Sequence, residues 1–225
     1  MIRFKKVSKK FGEVTALEEV NFEVAPQEFV FLTGPSGSGK TTLIRLITRE
    51  LRPTSGEIFV NDLNLNNLQG RNLFILRRQI GVVFQDFKLL LDRTIRENVA
   101  LVLEVAGKDI SRKDRVEEVL EQVGILEQAD FFPSQLAGGE LQRACLARAL
   151  AADPEILIAD EPTGNLDITT AWQIINLLQA ANRQGKTVLV ATHNVEIVDS
   201  LKSRVIELDK GRIIRDEKKG DYQIK

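Results

Sequence analysis

The residues most able to do chemistry lie in the stretch GPSGSGKTT, Gly34–Thr42, which fits G-x-x-x-x-G-K-[ST]. An apolar run, EFVFLT, precedes it, and TTLIRLITREL, with helical spacing, follows, so the loop joins a strand to a helix as this motif requires. Gly34, Gly37 and Gly39 let the backbone curl, so that N–H groups around Pro35, Ser36 and Ser38 face phosphate oxygens. The helix N-terminus, near Thr42, adds its partial positive charge. Lys40 would neutralise β- and γ-phosphates, and the Thr41 hydroxyl suits Mg²⁺, which prefers oxygen ligands. Average residue usage makes a chance match in such a chain a matter of about one in a hundred. The alternative is a glycine-rich turn with a surface lysine.

Three further groups end apolar runs. ILIADE closes on Asp160 and Glu161; VLVAT leads to His193, the only histidine; IGVVF leads to Gln85. Carboxyl ends of strands are where α/β sheets bind ligands. There Asp160 is suited to hold Mg²⁺ through water, and Glu161 to polarise an attacking water. His193 could sense a γ-phosphate and orient that water, and the Gln85 amide could reach the metal or the water. Each has a plainer reading: an acidic helix start, a structural histidine, a loop cap.

These groups need a frame. EFVFLT, QIGVVFQ, PEILIADE and TVLVATH are short, β-branched and apolar on both faces, the pattern of parallel strands covered by helices. They predict an α/β fold, a P-loop NTPase core with a mostly parallel sheet. The first sixty residues alternate more and predict an antiparallel β subdomain. Residues 86–153 read as an inserted α-helical subdomain, leaving 1–85 and 154–225 as the nucleotide-binding core of a single domain. Within the insertion Ser111 is a plausible helix N-cap. LAGGELQRACLARAL, Leu136–Leu150, is an amphipathic helix that opens on two glycines, residues that oppose helix formation. The tail DEKKGDYQIK is polar and expected to fray.

Bulk composition narrows the function. The 225 residues carry 31 Lys and Arg against 32 Asp and Glu, a net charge of −1, which gives no support for bulk nucleic-acid binding. The single cysteine, Cys145, excludes an internal disulfide and sits in an apolar helix, as a small core residue would. No apolar region follows the basic start MIRFKKVSKKFG, which argues against a signal peptide. The apolar stretch NVALVLEVAG is too short to span a bilayer, so a membrane role would come through a partner.

Taken in order, GPSGSGKT, Gln85, LAGGE, ILIADE, GNLD and His193 resemble the motif set of ABC-type ATPases over nearly the whole chain. The resemblance implies ATP and Mg²⁺ as cofactors and a homodimer formed on ATP binding, with two nucleotides sandwiched head to tail. It implies that Leu136, Ala137, Gly138, Gly139 and Glu140 act on the partner subunit's ATP. It also implies that Asn165 and Asp167 lie at the dimer seam and that Phe11 stacks on adenine, Phe11 being otherwise a core aromatic. The usual signature reads L-S-G-G-[QE], and Ala137 stands where the family has serine. Loss of that hydroxyl predicts weaker closure or slower turnover.

RRQIGVVFQDFKLLLDRTIRENVAL and LIADEPTGNLD are similar to the bacterial cell-division branch of the family. That similarity implies an integral membrane partner of permease type, attachment at the cytoplasmic face of the plasma membrane, and control of cell-wall hydrolases outside. Phe87, Leu89, Leu90 and Leu91 would line a groove for the partner, or else form subdomain core, and some can pack inward while others face the groove. Lipoprotein-release and macrolide-export subunits share the catalytic motifs and remain alternatives. A phosphotransferase would need no LAGGE motif. A nucleotide-binding scaffold with little hydrolysis fits Ala137 but not an intact Glu161 and His193. A DNA-repair ATPase would carry heptads that do not occur.

Overall fold

The computed structural model describes residues 1–107 and 113–222. Ten strands and seven α-helices occur among the described residues. β1 (Ile2–Phe11) and β2 (Val14–Val24) form a hairpin, and β3 (Phe29–Thr33) leads into α1 (Lys40–Ile47). β4 (Ser55–Val60), β5 (Leu63–Asn64) and α2 (Arg71–Gln79) precede β6 (Ile80–Val83). Next come α3 (Ile95–Val105), α4 (Lys113–Gln122) and α5 (Gly138–Ala151). β7 (Ile156–Asp160), α6 (Ile168–Arg183), β8 (Thr187–Ala191), α7 (Val195–Leu201), β9 (Arg204–Asp209) and β10 (Arg212–Glu217) complete the chain. The Ser111 cap lies outside the described residues.

The strands form two sheets. One is antiparallel, in the order β2-β1-β4-β5. The other runs β10-β9-β3-β8-β7-β6, with β9, β3, β8, β7 and β6 parallel and β10 antiparallel at the edge. The fold is therefore α/β, with an antiparallel sheet beside a mostly parallel one and helices α3 to α5 following β6. Every residue of β7 and β8 is buried, which explains their unbroken apolar runs. One apolar cluster packs α3, α4, α5 and α6 against one face of the parallel sheet; a second joins its other face to α1 and the antiparallel sheet. Successive side chains of a strand point to opposite faces, so both clusters draw on the same strands: Leu157 and Ala159 serve one, Ile156 and Ile158 the other.

Because β3, β6, β7 and β8 are parallel, their carboxyl ends share one edge of the sheet. Register makes this concrete: Leu32 lies opposite Ala191, and Ala191 opposite Asp160. The phosphate loop, Gln85, Asp160, Glu161 and His193 all begin from that edge.

One expectation fails over the part of the tail that is described. Residues 216–222 are held in place: Arg204 holds Asp216, Arg215 holds Asp221, and Tyr222 packs on the helical cluster; the rest of that tail, 223–225, lies outside the described residues. Partners distant in the chain, not its own composition, decide its order.

Candidate active site

The loop after β3 closes on itself. Gly34, Gly37 and Gly39 have φ of 132°, 78° and 113°, a region that side chains rarely adopt. A Cβ on Gly34 would lie 2.0 Å from the Leu208 carbonyl oxygen on β9, so that position also has no room. Lys40, buried at the start of α1, donates from Nζ to Gly34 O at 2.7 Å and Pro35 O at 3.1 Å. Burial lowers its pKa from the usual range, while the carboxylates of Glu161 and Asp160 oppose the shift. An ammonium so placed gains from an anionic ligand.

β7 ends in Asp160, which is buried with Oδ1 lacking any hydrogen-bond partner. Desolvation raises its pKa; the neighbouring Thr41 hydroxyl opposes this and the Glu161 charge adds to it. Glu161 then takes a left-handed backbone, φ 48°, pinned by its N–H donating to Ala191 O at 2.8 Å. Left-handed geometry costs a side-chain-bearing residue roughly 1–2 kcal/mol, and such strain concentrates at functional positions. It breaks the strand alternation, and the carboxylate reaches two partners: Oε1 is 3.9 Å from Lys40 Nζ, and Oε2 is 2.9 Å from His193 Nδ1.

These groups surround a cavity of about 730 Å³. Its walls include Pro35 to Thr42, Gln85, Glu161 and His193, so the structure gathers the phosphate loop and three of the four strand-end groups. Asp160 sits behind them beside Thr41. A hydroxyl, a side-chain amide and one orphaned carboxylate oxygen make an all-oxygen donor set, suited to a hard cation held jointly with phosphates. Among the described residues no cluster of three His, Cys, Asp or Glu is arranged to hold a metal alone. Phe11 is exposed outside the cavity wall, with Lys9 Nζ 4.9 Å from its ring centre.

LAGGE stands apart from this cavity. Ala137 is the N-cap of α5, with φ −72° and ψ 161°, and Glu140 Oε2 accepts its N–H at 2.9 Å. The two glycines differ. A Cβ on Gly139 would come within 2.6 Å of Thr170 Cγ2 on α6, so packing inside this chain requires glycine. A Cβ on Gly138 would meet nothing closer than 3.7 Å, and the residue is exposed. Asp167 caps α6, accepting from Thr170 N at 3.0 Å, and the exposed Asn165 is nearby in the same loop. Leu136 is half-buried against the helical cluster.

The loop beyond Gln85 splits the expected groove. Phe87 and Leu89 pack inward on the helical cluster, while Leu90 and Leu91 are exposed. Phe87 and Leu89 thus follow the core reading, and Leu90 and Leu91 stay on the surface. Phe87 and Lys88 have φ of 58° and 52°, which turns the loop sharply. Arg148 on α5 donates to both their carbonyls, at 2.7 Å for Phe87, and Cys145 Sγ lies 3.2 Å from Phe87 O. Burial pushes the Cys145 thiol up to about 12, so it is an inert packing group. Leu90 lines a separate cleft of about 480 Å³ with Ile80, Val82, Val102, Val105 and Arg148. Asn98, buried on α3, clasps Leu90 through both its N–H, at 2.8 Å, and its carbonyl, at 3.0 Å.

Several cavity residues escaped the sequence reading: Ala16, Val195, Glu207, Asp209, Ile214 and Tyr222. VIELDKGRIIRDE carried a usable signal, two alternating runs around a D-K-G turn, for the β9–β10 hairpin that supplies three of them. Tyr222 carried none.

The family model described as ABC transporter matches residues 17–164. The cell division ATP-binding protein FtsE of Bacillus subtilis (strain 168) is 48% identical over 224 residues, covering 99% of this chain and 98% of that protein. FtsE of Escherichia coli (strain K12) is 46% identical over 217 residues, covering 95% and 97%. Among solved structures, the dimeric structure of MJ0796, a bacterial ABC transporter cassette, superposes with a TM-score of 0.90 at 39% identity, covering 99% of this chain and 100% of that one. A dimeric post-hydrolysis state of MJ0796 bound to ADP and Pi gives the same TM-score at 38% identity and the same coverage.

Proposed function

The chain belongs to the ABC transporter family, and from that premise we propose how its residues divide the work of an FtsE-like, ATP-hydrolysing subunit. The observation that carries the assignment is Glu161, whose carboxylate faces both Lys40 and His193 over the phosphate-loop cavity. Backbone N–H groups of Gly34 to Gly39 cradle the phosphates, with Lys40 leaving its own loop carbonyls for the β- and γ-oxygens. Glu161 draws a proton from the attacking water as the water oxygen bonds to the γ-phosphorus and the bond to the β-phosphate oxygen breaks. His193 holds Glu161 and the water in line; Gln85 reaches the same space from the end of β6. Thr41, Asp160 and Gln85 would hold Mg²⁺, which supplies charge neutralisation at the phosphates when bound.

The second half of the site comes from a second copy. Gly138 is bare although nothing in its own chain demands it, which supports an approach by the partner's γ-phosphate to the start of α5. Asn165 and Asp167 belong to the seam, and Phe11 offers an exposed ring to adenine. Residues 86–153 act as the helical subdomain that carries this surface, and 1–85 with 154–225 as the nucleotide-binding core.

A membrane partner completes the reading. No helix among the described residues is long and apolar enough to cross a bilayer. We propose attachment at the cytoplasmic face of the plasma membrane through an FtsX-like permease subunit, whose movements control cell-wall hydrolases during division. Leu90 and Leu91, beside the cleft, form the docking face. Arg148 and Cys145 tie that loop to α5, so that the docking face, Gln85 and the signature motif move together.

Glu161→Gln tests the core of this proposal. The variant retains ATP and accumulates as a dimer in ATP with Mg²⁺, read by sedimentation. A variant that stays monomeric at saturating nucleotide, or that hydrolyses at the wild-type rate, refutes it.

A further inference from the structure

The last described residues fold back onto the nucleotide cavity. After β10 the chain turns, and Gly220 N–H donates to Ser203 O at 3.0 Å. A Cβ on Gly220 would stand 2.8 Å from Val205 Cβ, so this approach requires glycine. Arg215, only 11% exposed, bonds Glu207 Oε2 at 2.9 Å and Asp221 Oδ1 at 3.1 Å, and donates to the Asp221 carbonyl as well. The Asp199 carboxylate on α7 accepts the Tyr222 N–H. A charged segment gains little by leaving water unless its charges are met, and here they are met at separate points.

Tyr222 occupies the tip of this strap. It packs against the helical cluster and lines the cavity with Ser36, Glu161 and His193. Burial raises the phenol above its usual range, the Glu207 and Glu161 carboxylates add to the rise, and the Gly34 N–H opposes it. The phenol thus stands in the same cavity wall as the catalytic carboxylate. No motif read from the sequence assigns it a role.

We propose that Tyr222 is a positioning residue for hydrolysis: it walls the cavity that holds Glu161 and keeps bulk water from that flank. The inference rests on Glu161 as the hydrolytic carboxylate. A phenol suits the task because its ring excludes water and it adds no charge beside a γ-phosphate.

The test uses the full chain. Tyr222→Ala lowers kcat about five- to tenfold while KM for ATP stays within about twofold, since the wall acts on the chemical step rather than on binding. Tyr222→Phe, which keeps the ring, restores at least about half of the rate. Asp221→Ala frees the strap but leaves the Arg215–Glu207 pair, and it falls between the two. Because Tyr222 is the only tyrosine, nitration by tetranitromethane reports its placement without reference to activity. Nitration is slow in the native chain, slower with MgADP, and about tenfold faster in Asp221→Ala. An unchanged or increased kcat in Tyr222→Ala overturns the proposal, as does nitration that is equally fast with and without the Asp221 anchor. If Glu161→Gln still hydrolyses ATP, the reading of Glu161 fails first, and nitration still decides whether the strap is seated.

Discussion

Ala137→Ser separates what the start of α5 does for its own chain from what it does for another. The position is a helix N-cap with extended backbone and no side chain to accept an N–H, and Glu140 already supplies the reciprocal bond. Serine would complete a capping box by accepting the N–H of Glu140, a gain of about 0.5–2 kcal/mol. In a chain of this length each 1 kcal/mol moves Tm by about 2–4 °C, so the nucleotide-free protein should melt a few degrees higher. Facing a partner's γ-phosphate, the same hydroxyl would form a charge-assisted bond of about 1.5–3 kcal/mol. That is at least about tenfold per site, and about a hundredfold for a sandwich with two sites. Ala137→Asp is the control: it caps as well as serine but places a carboxylate against the phosphate. Melting curves without nucleotide and sedimentation with MgATP, both in the Glu161→Gln background, give the two readouts. Serine should raise Tm and tighten the dimer, whereas aspartate should raise Tm and abolish it. If aspartate dimerises as readily as alanine, the start of α5 does not face a phosphate and the sandwich reading is refuted.

The two glycines that follow should also part company. Gly139→Ala drives a Cβ into Thr170 and should cost about 1–3 kcal/mol of stability by thermal or urea unfolding. Gly138→Ala should leave Tm at or above the wild-type value, because alanine favours helix, yet weaken ATP-dependent dimerisation in sedimentation. Asp160→Asn should abolish hydrolysis while raising Tm, since it removes a charge whose burial is only partly offset. The sign follows from the raised pKa: the penalty is full while Asp160 is ionised in both states and lifts as pH falls through the folded value. The Tm advantage of Asp160→Asn should therefore be largest at neutral pH and shrink on acidification; a constant advantage would contradict the desolvation account.

The glycine-rich wall of the cavity was legible because its geometry is local. A strand, a glycine-rich turn and a helix start fit within one short stretch, and the left-handed backbone at Gly34, Gly37 and Gly39 is written in residue type. Asp160, Glu161, Gln85 and His193 could be placed together for a topological reason: parallel strands must end on one edge. The left-handed turn at Glu161 was not legible, since a glutamate signals no such backbone.

What remained was decided by partners far along the chain. Phe87 and Leu89 turn inward while Leu90 and Leu91 stay out, and the four residues look alike as a sequence. The choice is made by Arg148 and Cys145 on α5, which capture the Phe87 carbonyl from about sixty positions away. The glycine pair repeats the lesson. Both residues read as bare backbone awaiting a phosphate, but Gly139 is bare because Thr170 of α6 presses against it, and only Gly138 is left open. Tyr222 is the extreme case: a polar tail becomes a cavity wall because Arg215, Asp199 and Ser203 meet its charges and amides. By itself, the sequence determined the alternation of elements and the chemistry each strand end could bring. Which side chains face the cavity, the core or the surface was settled only by tertiary packing, because facing is a property of neighbours and not of residue type.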